Sequence, residues 1–302
     1  MLLLAFAVSG CASSTAPEPV SDKPVTASIF LEGGPAGLAV FQGIVWVAYG
    51  RDSVARIDAR TNEVVTRIRV GRDPVGLAIA RDSVWVANRD DGTVSRIDAR
   101  THSVVATISV GRRPIMVAAG DHAIWVTNQG SGNVSKIDPQ SNRTTATIAI
   151  GIEPVGIAVD GTTVWVSDFR GDKVVRIDAT SNQIVGEPIA VGRGPETIAV
   201  SGNAVWVASK FADSVSRIDA RTGHVVATIP IAGEPTGVVI VGDAVWVSLI
   251  KRASILQIDS RTNTIVGLPQ RVARNPTLMA VGEGAIWVSS GYVSRLSRVA
   301  LP

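Results

Sequence analysis

At 302 residues and 46% hydrophobic content the chain can bury a substantial core. Its formal charge of +3, from 29 basic against 26 acidic residues, gives no sign of a duplex-binding surface. The single cysteine, Cys11, rules out an internal disulfide and any multi-cysteine zinc or iron–sulfur site.

The chain begins MLLLAFAVSGCASS, an apolar run too short to span a bilayer, followed by a Ser-, Pro- and Ala-rich stretch. The run resembles a bacterial lipoprotein signal, whose lipobox places an aliphatic residue and two small residues before the cysteine that is lipidated; here these are Val8, Ser9, Gly10 and Cys11. No Lys or Arg precedes the run, a departure from that pattern. The resemblance implies lipidation at Cys11, an extracytoplasmic place in the cell envelope, and contact with membrane through the lipid anchor only. Residues 1–11 are thus read as a signal segment, 12–24 as a flexible tether and 25–302 as the folded domain.

From residue 25 onward a repeat takes over. Trp46, Trp85, Trp125, Trp165, Trp206, Trp246 and Trp287 are all the tryptophans of the chain, and a proline stands eleven positions before each, from Pro35 to Pro276. A period near forty made of four short β-rich runs is the pattern of a propeller blade. In the second copy the runs are GLAI, SVWVAN, TVSRIDA and SVVATISVG. The run around the tryptophan is apolar almost throughout, as a strand covered on both faces requires. The last run alternates, which marks a half-solvated outer edge, and Pro188, Pro230 and Pro269 fall in such runs, where a missing N–H can face water. Glycine and alanine crowd the first run, which suits strands meeting around a central axis.

The chain ends three strands after Pro276. Val25, Ala27, Ile29 and Leu31 precede Pro35 as Val104, Ala106, Ile108 and Val110 precede Pro114, so the first ordered strand is predicted to complete the last blade. The expected fold is all-β: a seven-bladed propeller of four-stranded antiparallel blades, closed by its N-terminal strand.

The string VWVAN…TVSRIDARTHSVVATISVG resembles the YVTN repeat of YncE-like exported and surface-layer proteins, and the likeness covers residues 25 to 302. The resemblance implies a seven-bladed propeller with an extracytoplasmic binding role and no particular reaction.

Positions shared by all copies should serve the blade. The recurrent Arg-Ile-Asp string, as at Arg96, Ile97 and Asp98, is read as structural, its aspartate opening a hairpin turn. Copies differ in the loops joining second to third strands and fourth strands to the next blade, which emerge on one face. Tyr49, Arg89, Arg112, Phe169, Arg170, Lys210, Phe211, Lys251 and Tyr292 stand in these loops as candidate ligand-binding residues, good contact chemistry for a protein or glycan. A monomer is expected, and nucleic acid is not favoured as a partner; single-stranded nucleic-acid binding is kept as a third reading, which needs stacking aromatics beside a basic groove.

No catalytic residue is assigned. His102, His122 and His224 are all predicted on the opposite face, which weakens the likeness to streptogramin lyases, propellers that resemblance says use a histidine and a glutamate. A metal-dependent lactonase or lyase is the enzymatic alternative. No cofactor is otherwise expected, but Asn128 and Asp168 with Glu153 and Glu196 offer oxygens that could hold calcium, as in gluconolactonase-like propellers.

Overall fold

The computed structural model describes residues 25–301. The signal-like segment, Cys11 and the tether read from the sequence lie outside the described residues. Seven four-stranded antiparallel sheets follow one another around a ring. The first blade takes Pro35–Phe41, Ile44–Tyr49, Ser53–Asp58 and Val64–Arg69 from the axis outward. The seventh contains Met279–Gly282, Ala285–Ser290 and Arg295–Ala300, and Val25–Phe30 pairs antiparallel with the last of these as its outer strand. The ring therefore closes within a sheet, by hydrogen bonds between the two ends of the described chain.

The tryptophans join blade to blade. Six of them are at most 1% exposed and Trp246 is 4% exposed. Trp46 packs with Leu77, Val84, Val86 and Ile97 of the second blade, and Trp287 with Leu38, Val45 and Val47 of the first, so the same wedge works across the closure. Each indole buried this way contributes at most about 4–6 kcal/mol, from about 150–250 Å² at about 25 cal/mol per Å².

Near the axis the strand backbones almost touch. A β-carbon added at Gly37, Gly76, Gly156 or Gly237 would collide with backbone of the next blade, which explains the glycine of the first run. At the outer edge the prolines behave as edge residues. Pro188 splits its strand into Gln183–Ile184 and Ile189–Ala190, while Pro230 ends Val225–Pro230 and Pro269 lies within Thr264–Arg271. The steps from Trp165 to Trp206 and from Trp246 to Trp287 are one residue longer than the neighbouring ones, and the extra residue sits in these outer strands. Between the ladder pairs Val174↔Ile189 and Ile177↔Ile184 the outer strand carries the surplus, relieved by Gly186 at φ 69. The equivalent excess between Ile255↔Gln270 and Ile258↔Ile265 contains Gly267 at φ 68.

Two rims result. The lower rim holds the turns between first and second and between third and fourth strands. The upper rim holds the remaining loops, and Val25, paired with Val299 near the end of the last strand, brings the chain in at the lower rim.

Candidate ligand site at the channel mouth

Six of the seven innermost strands begin with the proline of the repeat and are bulged just after it: Pro35 pairs with Tyr49 and Leu38 with Val47, so three steps on one strand face two on the other. The same shift occurs after Pro74, Pro114, Pro154, Pro195 and Pro235. A bulge bends the strand and re-aims the residue inside it. The residues following the seven prolines, Ala36, Val75, Ile115, Val155, Glu196, Thr236 and Thr277, all line one cavity of about 440 Å³ at the upper mouth of the channel. That volume is within the range of small-molecule sites.

Hydroxyls just below the mouth lock the blades. Thr127 Oγ1 donates to the Val155 carbonyl at 2.7 Å, Ser167 Oγ to that of Glu196 at 3.0 Å and Ser248 Oγ to that of Thr277 at 2.7 Å. The floor on which Glu196 stands is held by its neighbour blade.

Of the residues expected on this face, Arg89, Phe169 and Tyr292 line the cavity, Tyr292 being 87% exposed. Phe211 sits beside it, edge-on to Phe169 with ring centroids 5.4 Å apart, and Lys210 Nζ lies 5.8 Å from the Phe211 ring. Arg170 pairs with Glu153 at 2.5 Å and Lys251 with Glu234 at 2.7 Å, while Lys210 stands 3.8 Å from Glu196 Oε2. Arg112 does not line the cavity; its guanidinium donates to the Gly130 carbonyl at 2.9 Å. Its neighbour Arg113 does line it, as does Gln129. Tyr49 is 6% exposed and packs in the core between the first and last blades. It occupies the third position after the tryptophan, where the strand still points inward.

The same position explains Asn88, Asn128 and Asp168, each fully buried. Asn128 Nδ2 donates to Asn133 Oδ1 and Ser135 Oγ at 2.8 and 2.9 Å. Asp168 accepts the backbone N–H groups of Glu153 at 2.8 Å and Ile152 at 3.2 Å, with Lys173 Nζ at 3.7 Å. These groups fasten loops within their own blades, and Glu153 and Glu196 reach the cavity without them. Among the described residues no three His, Cys, Asp or Glu side chains gather as a metal site. The set of Asn128, Asp168, Glu153 and Glu196 is thus divided between loop and mouth.

Glu196 is the unusual member of the ring. Its Oε2 is buried and accepts no hydrogen bond. Desolvation pushes its carboxyl above the usual glutamate range; Lys210 opposes the shift and Glu234 adds to it. Comparing the residues after the seven prolines would have exposed this position from sequence.

The lower rim is more uniform. Thr61 and Arg60 donate backbone N–H groups to Asp58, each at 2.8 Å, and the turns opened by Asp98, Asp178 and Asp259 repeat the pattern. These bonds hold those carboxyls below the usual aspartate range. The basic residue two before the aspartate also has a task. Arg96 lies 5.0 Å from the ring centre of Trp85 and donates to the Pro139 carbonyl at 2.7 Å and to Asn142 Oδ1 at 2.9 Å in the next blade. Lys136 repeats this with Ala179 and Asn182, and Arg217 with Ser260 and Asn263. His102 takes the asparagine place opposite Arg56, 3.4 Å from its Nη1. Burial, reinforced by Arg56, pushes its pKa below the ordinary histidine value. His122 borders a small lower cavity with Lys136, and no histidine lines the mouth.

The sequence model of the virginiamycin B lyase family matches residues 60–301. The YVTN-repeat resemblance and the lyase alternative drawn from the sequence both lead to a propeller of this kind. No curated protein matches in sequence. Among solved structures, virginiamycin B lyase from Staphylococcus aureus superposes with a TM-score of 0.79 at 17% identity, covering 91% of this chain and 99% of that one. A streptogramin B lyase gives 0.79 at 16%, covering 91% and 97%. The hydrazine synthase of Kuenenia stuttgartiensis gives 0.79 at 16%, covering 90% and 97%. Another structure of the S. aureus lyase is a catalytically inactive histidine-to-alanine form with quinupristin. At these identities the likeness is one of fold.

Proposed function

The chain belongs to the virginiamycin B lyase family, and from that premise we propose that it is a binding propeller that captures a ligand in the upper mouth of its channel without transforming it. The observation that carries this reading is the composition of the mouth. It joins a floor that is apolar from Ala36 round to Val155, two aromatic side chains and a set of polar and charged groups in about 440 Å³, and it contains no histidine to act as a base near neutral pH. A histidine matters to the S. aureus relative, whose alanine form is inactive; here all three stand toward the lower rim.

The second part of the proposal is location. Lipidation of Cys11 would hold the domain at the cell envelope, outside the cytoplasm. The chain enters the ring at the lower rim, so a tether from that side leaves the mouth facing away from the anchoring surface. The ligand is a small molecule, or an exposed group of a protein or glycan small enough to enter. The intact mass of the mature protein, with or without lipid at Cys11, tests the anchor.

For the site, ligand-observed NMR against a library of amphipathic small molecules should give binders that are lost on Phe169→Ala, with the melting temperature within about 2 °C of the parent. A library without binders, or binders indifferent to Phe169 and Tyr292, would remove the mouth from consideration. Family membership favours a second reading, a lyase with a different base. Loss of intact quinupristin on incubation, followed by chromatography, would establish it over the first.

A further inference from the structure

Six of the seven residues that follow the repeat prolines are Ala36, Val75, Ile115, Val155, Thr236 and Thr277; the seventh is Glu196. All seven line the mouth, so one carboxyl stands where the other blades present small or apolar groups. A buried carboxylate oxygen without a donor is costly, and such a cost at one copy of a repeat points to a partner from outside. Glu196 Oε2 is in that condition. The ammonium of Lys210, at 3.8 Å, offsets charge but is beyond hydrogen-bond distance.

The neighbouring acids are already engaged. Glu153 accepts from Gln129 at 2.6 Å and from Arg170 at 2.5 Å, and Glu234 is paired with Lys251. Among the bases on the cavity wall Arg89 is held by Asp73. Arg113, exposed at the rim, has no carboxylate partner among the described residues. Going round the ring from Arg113 in the third blade to Glu196 in the fifth, the floor is Ile115 and then Val155, both apolar. The mouth thus offers an open cation, an apolar strip and an open anion, in that order.

We propose that the mouth holds a short linear peptide as its zwitterion, with its ammonium group at Glu196, its apolar body over Val155 and Ile115, and its carboxylate on Arg113. The assignment rests on the reading of the mouth as a binding site. It uses a guanidinium for a planar carboxylate and a desolvated carboxylate for an ammonium donor, the pairing each group favours.

Calorimetric titration of the full chain with the tripeptide Ala-Leu-Ala, its N-acetyl form, its C-terminal amide and free leucine tests it. The free tripeptide should bind, and free leucine, whose two charges share one carbon and cannot reach both ends of the site, should bind roughly tenfold more weakly or worse; leucine binding as tightly would overturn the assignment. Acetylation and amidation should each weaken the tripeptide roughly tenfold or more. Glu196→Gln should abolish the penalty of acetylation and keep that of amidation, and Arg113→Gln should do the reverse. If either variant fails to melt cooperatively, the capped peptides on the parent chain decide alone. Capped peptides binding as well as the free one would overturn the zwitterion assignment and leave the binding site standing. No binding by any of the four would overturn it too, and the Phe169-dependent library screen then decides separately whether the mouth binds at all.

Discussion

At the lower rim, blade after blade opens its outer hairpin with an aspartate held by backbone N–H groups and reaches across to its neighbour with an arginine or lysine. At the upper mouth the residue after the proline changes from alanine to valine, isoleucine, glutamate and threonine. Both rims are built on the same bulged and twisted sheets, so the difference is not imposed by the fold. Repetition accompanies side chains that hold blades together, and departure from repetition at the mouth puts a carboxylate with a buried, unbonded oxygen where the other blades carry small or apolar groups. If that division is right, substitutions below should cost stability, and those above should change binding.

The largest effect is expected at the indole wedges. Trp125→Ala removes a side chain that is 1% exposed and packed on Ile157, Val164 and Val166 of the next blade. It also strips Lys136 of its ring contact at 5.2 Å. Denaturant titration should show a loss of about 3–5 kcal/mol. A loss below about 1 kcal/mol would mean that the blades do not depend on the wedge.

A smaller effect, about 1–2 kcal/mol, is expected for Arg96→Met, which breaks the bonds to Pro139 and Asn142 and leaves the methylene packing largely in place. Asn142→Ala should lose a similar amount, and the double variant should cost clearly less than the sum, because the two partners share one bond. Full additivity would separate the latch from the blade junction and blur the contrast between the rims.

Much of the architecture was legible because a repeat exposes it: the spacing of tryptophans, the prolines of the outer runs and the four residues before Pro35 lead directly to the closed ring. The latch from Arg96 was not legible, because its acceptors lie 43 and 46 residues ahead, in another blade. Asn142, Asn182 and Asn263 take φ values of 56°, 60° and 59°, the left-handed conformation asparagine tolerates, and the same side chains serve as acceptors. As a loop aromatic Tyr49 is a rim candidate, yet Asn88, Leu249 and Ser290 stand at the same distance after their tryptophans and all are buried, as Tyr49 is. From the sequence Glu196 is only a candidate calcium oxygen; its isolation among the seven residues after the prolines emerges once the folded ring gathers them into one cavity. Sequence comparison within the repeat reaches such a residue only when each copy is aligned on its proline.

The smallest effect on stability, and the sharpest for the comparison, belongs to Glu196→Gln. Glutamate and glutamine are nearly the same size, so packing against the mouth is kept while the ionisable group is removed. Because desolvation raises the folded-state pKa of Glu196 above its unfolded value, the proton binds more tightly in the folded chain. Stability associated with this group is therefore highest below the ordinary glutamate pKa of about 4.3 and declines as pH rises through the raised folded value. The glutamine variant carries no such penalty. Its melting temperature should exceed that of the parent by roughly 1–3 °C at neutral pH, with the gap closing below about pH 4. A parent that is the more stable of the two at neutral pH would show that Lys210 already satisfies the carboxylate, and the mouth would then have no open anion to offer a ligand.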